Sequence, residues 1–223
     1  MAYIYWNKEI KKSECEKLIK EFDYDDAHSA KVGGKLSSTL STKDKNKYGI
    51  SDDHDGFIAI RDINNDSSKK NNNLSEGDRD ETIRKSKINW LESDHFYNKI
   101  LLRYVTEANN EYFKYNIEKF TPCQFTRYGV GDYYNYHQDN HNNVEDFENA
   151  TRKLSLTLQL SNPNTYEGGK FLLFNGEKEP YEPPIREQGS IIVFDSRLWH
   201  KVTPITKGIR YSLVSWILGP PFK

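Results

Sequence analysis

Between Leu154 and Leu160 every second residue is leucine, and Ser155, Thr157 and Gln159 fill the gaps. That period of two marks a β-strand with one face in a core. Short runs rich in β-branched and aromatic residues, punctuated by Gly, Pro and Asn, predict strands at Gln124–Tyr128, Tyr133–His137, Lys153–Leu160, Lys170–Phe174, Ser190–Phe194, His200–Ile205 and Arg210–Leu218. Such a series after Pro122 predicts a sandwich or jelly roll. Upstream the period changes. Cys15, Leu18, Ile19 and Phe22 recur at helical spacing behind Ser13-Glu-Cys-Glu16, which reads as a capping box, so a first helix is expected over residues 13–22. Phe96, Ile100, Leu101, Tyr104, Val105, Ala108 and Tyr112 mark one face of a longer helix that begins near Ser93-Asp94 and packs on the sheet. Residues 62–82 hold only Ile63 and Leu74 as aliphatic residues, too little to order themselves, and are expected to form a flexible loop. The expected class is mainly β with flanking helices (α+β), in a single domain spanning 1–223. Within it, residues 1–120 give helical and β support and residues 121–223 form the jelly-roll core.

Composition narrows the partners. With 32 basic against 33 acidic residues, the chain has no bulk electrostatic pull toward nucleic acid or an anionic membrane. The N-terminal Met-Ala-Tyr-Ile-Tyr-Trp-Asn-Lys lacks the apolar run of a signal peptide, and no stretch approaches the roughly 20 apolar residues of a membrane span, so a soluble, cytoplasmic protein is expected. The two cysteines, Cys15 and Cys123, form no C-x-x-C pair and read as ordinary buried thiols of a reducing compartment.

The candidate chemistry sits at the strand ends. His137-Gln-Asp139 ends the Tyr133–His137 run, and on an extended chain positions i and i+2 share a face, so both side chains can reach one metal while Gln138 points away. His200 follows the apolar run Ile191–Phe194 and can approach from another strand. Two imidazoles and a carboxylate on one face of an octahedral Fe(II) form the 2-His-1-carboxylate facial triad. Taken singly, each histidine fits a structural or surface role, and only the combination favours ligation. His28 and His54 fall in polar loops, His95 at a helix start and His141 just past the motif; none is assigned as a ligand, although His141 is close enough to support one from behind. Arg210 lies ten residues after His200, and its planar fork suits a carboxylate in two parallel hydrogen bonds.

These motifs occur in order: Gln124-Phe-Thr-Arg-Tyr-Gly-Val-Gly-Asp-Tyr-Tyr-Asn-Tyr-His-Gln-Asp139, Arg152-Lys-Leu-Ser-Leu-Thr-Leu-Gln-Leu-Ser161, Tyr166-Glu-Gly-Gly169, Gly189-Ser-Ile-Ile-Val-Phe194 and Trp199-His-Lys-Val-Thr-Pro-Ile-Thr-Lys-Gly-Ile-Arg-Tyr-Ser-Leu-Val-Ser-Trp216. Over residues 121–222 the chain resembles the prolyl 4-hydroxylase-like branch of the Fe(II)/2-oxoglutarate-dependent dioxygenases, including hydroxylases of bacteria and phages. The resemblance implies a double-stranded β-helix, iron on His137, Asp139 and His200, and 2-oxoglutarate on Arg210 with help from Tyr128; Ser212, two residues after Arg210 on the same strand face, can add a bond, and ordinary strand packing suits Tyr128 and Ser212 equally. It further implies O2 as co-substrate, ascorbate as a reductant, and hydroxylation of a prolyl residue in a peptide or protein, coupled to conversion of 2-oxoglutarate to succinate and carbon dioxide. Tyr134 and Trp216 are candidate walls of a substrate pocket, and ordinary core packing suits them equally. The loop over Asn140–Thr151, with Glu145, Asp146 and Glu148, is a candidate acidic lip, although a plain solvated loop suits it better.

Other readings stay open. The related alkylated-base demethylases carry a second functional arginine six residues after the first, where this chain has Trp216, which argues against a nucleic-acid substrate. The same chemistry on a free amino acid or other small molecule fits the motifs. A non-catalytic jelly-roll module, or a metal-holding cupin-like protein, would have no use for Arg210 in register with the triad.

Overall fold

The computed structural model describes residues 3–23, 28–29, 58–59, 83–140, 150–176 and 179–222. In chain order the elements are β1 (Tyr3–Trp6), α1 (Lys12–Phe22), β2 (His28–Ser29), β3 (Ile58–Ala59), β4 (Arg84–Lys85), β5 (Lys87–Trp90), α2 (Phe96–Ala108), β6 (Lys119–Phe120), β7 (Gln124–Tyr128) and β8 (Tyr133–His137). They continue through β9 (Thr151–Gln159), β10 (Tyr166–Gly168), β11 (Phe171–Phe174), β12 (Ile191–Asp195), β13 (Trp199–Val202), β14 (Ile205–Gly208) and β15 (Arg210–Gly219). One sheet runs β1-β12-β9-β15-β7-β5-β2, with β6 also on β15 and β3 on β6; a second runs β11-β13-β8-β4; β10 and β14 form a separate pair. The pairings are antiparallel, and the two larger sheets face each other as a double-stranded β-helix with helices on the outside of the first.

The alternation along β9 explains the layering. Leu154, Leu156, Leu158 and Leu160 are fully buried in one cluster with Cys15, Leu18 and Phe22 of α1, Leu101, Leu102, Tyr104, Val105 and Ala108 of α2, and Phe125, Val193, Leu213 and Ile217 of neighbouring strands. Each such side chain stabilises the fold by about 1.5–3 kcal/mol through burial. The opposite face of β9 is not solvated, as period-two reasoning alone would suggest: Ser155, Thr157 and Gln159 are 0, 5 and 2% exposed. They face the space between the sheets, which a second apolar cluster of Tyr128, Tyr166, Phe171, Leu173, Ile185, Ile192, Phe194, Val202 and Ile205 partly fills.

Several boundaries depart from the sequence expectation. The β support expected within residues 1–120 takes the form of added strands, β1 pairing with β12 and β5 with β7. The expected strand His200–Ile205 breaks at Pro204 into β13 and β14, because proline cannot donate to a ladder. The capping box does not form. Lys11 occupies the cap of α1, its carbonyl accepts from the backbone N–H groups of Glu14 and Cys15, and Ser13 lies inside the helix. Phe96 and Tyr112, expected on the buried face of the second helix, are 66 and 50% exposed; α2 starts only at Phe96 and passes into a wider π turn over Asn109–Phe113, which takes both off the packed stripe. His95 caps α2, accepting from the Tyr97 N–H. Cys15 and Cys123 are buried and free, and burial raises both thiol pKa values, that of Cys15 to about 12. No described helix is long and apolar enough to cross a membrane. The loop expected at residues 62–82, most of the candidate lip at 140–151, His54 and His141 lie outside the described residues, as does the side chain of His28.

Candidate metal centre and its cavity

β8 and β13 are antiparallel neighbours, and their register sets His137 directly opposite His200. The pairing then slips, with Val202 opposite Tyr134, so one extra residue is accommodated in β8. A bulge of this kind re-aims side chains. It lets Tyr134 and His137 both face the inter-sheet space although they are three positions apart, and their rings stack at 3.4 Å between centroids with 13° between planes.

Asp139 lies two residues beyond His137. Its backbone N–H donates to the Ser196 carbonyl at 2.9 Å, which ties it to the turn between β12 and β13. Asp139 Oδ1 stands 3.6 Å from His137 Nε2, and Oδ2 stands 3.4 Å from His200 Nε2. Ligand atoms of the three side chains all lie within 4.8 Å of one another, and all three residues are buried. Both imidazoles are turned the same way. Each Nδ1 lies against a backbone carbonyl, that of Asn135 at 2.7 Å for His137 and that of Leu198 at 2.9 Å for His200. A carbonyl only accepts, so Nδ1 carries the proton and Nε2 is left with its lone pair toward Asp139. This is the tautomer that a metal takes, oriented from behind. Ser155 Oγ donates to Asp139 Oδ2 at 2.6 Å and lies 2.9 Å from Ser196 Oγ, which fixes the carboxylate plane.

Electrostatics prepare the same state. Burial alone would favour a protonated Asp139, but His200, His137 and Arg152 outweigh it and hold the carboxyl far below the usual range. Burial, and then the neighbouring His137, draw the His200 pKa down to about 4 against the opposing pull of Asp139. At neutral pH the cluster offers one carboxylate and a neutral His200, the ionisation that metal binding requires. Two imidazole nitrogens and a carboxylate oxygen fit a divalent first-row transition metal and leave coordination positions for other ligands.

The triad opens into a cavity between the two sheets. Arg210, first residue of β15 and 2% exposed, lines it. Its guanidinium lies 5.6 Å from the centre of the Tyr128 ring, and Nη1 reaches Ser212 Oγ at 3.4 Å; no carboxylate of the described residues pairs with it. Tyr128 sits directly across the ladder from Arg210, while Ser212 follows two positions along the same strand, so both expected helpers share its face. Gly169 makes room. It has φ +59°, and a Cβ there would stand 2.5 Å from Ile205 Cδ1 and 3.0 Å from Arg210 Cδ. Tyr134 and Trp216 line the cavity too; burial pushes the Tyr134 pKa up to about 12, and Arg152 lies 4.2 Å over the Trp216 ring. The structure therefore brings together His137, Asp139, His200, Arg210, Tyr128, Ser212, Tyr134 and Trp216.

Sequence reasoning missed Arg84, Gln124, Ser155, Thr157 and Ser196 around this cavity. The polar half of the leucine alternation was the available signal for Ser155 and Thr157. Arg84 falls in the run Arg84-Lys-Ser-Lys-Ile-Asn-Trp90, which breaks at Ser86 into the short β4 and β5 and gave no signal for it.

Comparison with known proteins agrees with this geometry. Residues 123–218 match the family described as the 2OG-Fe(II) oxygenase superfamily. Among curated relatives, a PKHD-type hydroxylase of Stenotrophomonas maltophilia (strain R551-3) is 35% identical over 102 residues, 44% of this chain and 44% of that protein. One from Shewanella oneidensis is 36% identical over 101 residues, 44% of this chain and 43% of that protein. The matched region thus spans less than half the length of these relatives. Among solved structures, a Pseudomonas putida prolyl-4-hydroxylase superposes with a TM-score of 0.59 at 17% identity, covering 97% of this chain and 91% of that one. A Trichoplax adhaerens prolyl hydroxylase, in complex with a hypoxia inducible factor oxygen degradation domain peptide fragment, gives 0.61 at 18%, covering 97 and 83%. At such identities the structural matches speak for the fold, a double-stranded β-helix, and the family match for the core that carries the triad.

Proposed function

We propose, from the premise that residues 123–218 belong to the 2OG-Fe(II) oxygenase superfamily, that this chain is an Fe(II)- and 2-oxoglutarate-dependent hydroxylase of the prolyl 4-hydroxylase-like branch, acting on a prolyl residue of a peptide or protein. The observation that carries the reading is a single cavity lined by both the buried His137–Asp139–His200 cluster and Arg210, a buried cation with no acidic partner among the described residues. A buried charge is costly unless something neutralises it. The distal carboxylate of 2-oxoglutarate meets that need.

When bound, iron with 2-oxoglutarate and dioxygen supplies the oxidising power for the net change of C–H to C–OH, while 2-oxoglutarate leaves as succinate and carbon dioxide. The chain's own residues hold and orient. His137, Asp139 and His200 would hold the metal, with the Asn135 and Leu198 carbonyls fixing the imidazoles and Ser155 fixing the carboxylate. Arg210 clamps the distal carboxylate of the co-substrate, with Tyr128 and Ser212 beside it. Phe171, Phe194, Val202 and Val214 give the cavity apolar walls that exclude water. Tyr134 and Trp216 flank the place left for the substrate. The prolyl assignment draws on the solved structures that share the fold.

The test is an anaerobic titration of metal-free protein with Fe(II) and then 2-oxoglutarate, followed by the visible metal-to-ligand charge-transfer absorption of the chelate. A saturable band that disappears in His137→Ala and in Asp139→Ala is expected. Absence of the band in folded, iron-loaded wild-type protein would refute the assignment.

A further inference from the structure

A second cation is buried in the same cavity, and the co-substrate cannot use it. Arg84 on β4 is 6% exposed. Its Nε donates to Ser86 Oγ at 2.9 Å and its Nη2 to Gln124 Oε1 at 2.9 Å, and its guanidinium lies 4.7 Å over the Tyr134 ring. Both hydrogen-bond partners are neutral, and they occupy two of the five N–H groups a guanidinium carries. No described carboxylate pairs with it. A purely structural arginine at this depth would be expected to find an acid. Here the Arg84 side chain lines the cavity instead.

The ladder separates the two arginines. Arg210 stands opposite Tyr128 at one end of β7, while Arg84 bonds to Gln124 at the other end, which itself stands opposite Val214. Four residues of extended strand span about 13 Å. The five-carbon backbone of 2-oxoglutarate has four C–C bonds of about 1.5 Å, at most about 6 Å end to end. A co-substrate anchored on Arg210 and chelating the metal therefore leaves Arg84 unanswered. Arg84 is nonetheless close to the chemistry: the centroid separations of 4.7 Å to Tyr134 and 3.4 Å from Tyr134 to His137 bound its distance from the His137 ring at 8.1 Å.

We propose that Arg84 is a carboxylate-binding subsite for the hydroxylated substrate, so that the substrate carries an acidic group, an Asp or Glu side chain or a chain-terminal carboxylate, within a residue or two of the carbon that reacts. This rests on the hydroxylase reading and names the substrate class for that site. Tyr134 forms the floor between subsite and metal, and Gln124 and Ser86 hold the guanidinium fork square to the cavity. A lysine would keep the charge but not the two-pronged geometry.

The test uses the full chain loaded with Zn(II) in place of iron and saturated with 2-oxoglutarate. Fluorescence polarisation reads the binding of labelled proline-centred heptapeptides made in pairs, Glu against Gln at each flanking position, together with pairs ending in a free or an amidated carboxyl group next to the proline. At one position the acidic member is expected to bind about tenfold tighter or more, as a charge-assisted pair does against a neutral one. That preference should fall to within twofold in Arg84→Gln and survive in weakened form in Arg84→Lys, which also serves should the glutamine variant fold poorly. Equal binding of every pair by wild-type protein, no measurable binding of any member included, overturns the proposal, as does an undiminished preference in Arg84→Gln. The Fe(II)–2-oxoglutarate band separates the two readings: it should persist in Arg84→Gln, and its absence from the wild type would remove the hydroxylase premise instead.

Discussion

The two faces of the larger sheet are built from the same strands and do opposite things. On the helix side, β9 presents Leu154, Leu156 and Leu158, β7 presents Phe125, and β15 presents Leu213 and Ile217, all buried and apolar. On the inner side the alternate residues of those strands are Ser155, Thr157 and Gln159, then Gln124, Thr126 and Tyr128, then Arg210, Ser212, Val214 and Trp216, which apart from the half-buried Val214 are equally buried but polar or aromatic. One face lowers the free energy of the fold and the other holds chemistry in place. A side-chain period of two lets a single strand serve both without compromise, because a residue of one set never competes for the space of the other.

The contrast is sharpest when each face is broken alone. Leu158→Ala should leave a cavity in the helix-side core and cost about 2–5 kcal/mol, read from urea unfolding, while the Fe(II) and 2-oxoglutarate affinities of the molecules that remain folded stay unchanged. Loss of both together would mean that the two faces are mechanically coupled. Arg210→Met should do the reverse. It removes a buried, unpaired cation, so the metal-free protein should unfold no more easily than wild type, yet 2-oxoglutarate should bind about ten- to a hundredfold more weakly, in keeping with about 1.5–3 kcal/mol for a charge-assisted hydrogen bond.

A smaller effect on the same side tests how the carboxylate is held. Ser155→Ala deletes the 2.6 Å hydrogen bond to Asp139 Oδ2 and hardly changes volume. Metal affinity should drop by about tenfold or somewhat more, the usual cost of removing a group that orients a ligand. A titration showing unchanged affinity would leave Ser196 and the backbone at Asp139 as sufficient supports.

How much of this was legible in the sequence divides along the same line. The helix-side face announces itself through periodicity, and the triad could be read because His137 and Asp139 stand two positions apart at the end of one strand and His200 follows an apolar run that must cross the core. Arg210, Tyr128 and Ser212 were reached through resemblance combined with the chemistry of a guanidinium fork. Ser155 and Arg84 were not. A buried serine and a solvent-facing serine look alike in a strand until the second sheet is known to cover it, and the two-residue β4 is too short to carry a period. The same limit explains the misread start of α1: Ser13 and Glu16 have the spacing of a capping box, but the backbone enters the helix earlier, at Lys11, where no side chain caps it.

The smallest expected effect lies at the rim where the two faces meet. Asp195 ends β12, accepts from Arg197 Nη2 at 2.6 Å and from the Tyr115 hydroxyl at 2.6 Å, and steadies the turn whose Ser196 carbonyl receives the N–H of Asp139. Burial opposes its ionisation, but Arg197 and Tyr115 prevail and lower its pKa. A carboxyl with a folded-state pKa below its unfolded value binds fewer protons when folded, so its contribution is complete above about pH 4 and is lost as the pH falls through the lower, folded value. Arg197 is half exposed, and screening by water keeps the pair to roughly 1 kcal/mol or less. Asp195→Asn should therefore flatten part of the acid limb of the stability curve below pH 4 and leave stability at pH 7 only slightly lower. An acid limb that superposes on that of the wild type would transfer the acid sensitivity to Asp139, the other buried carboxylate with a lowered pKa among the described residues, and thus from the rim to the metal site itself.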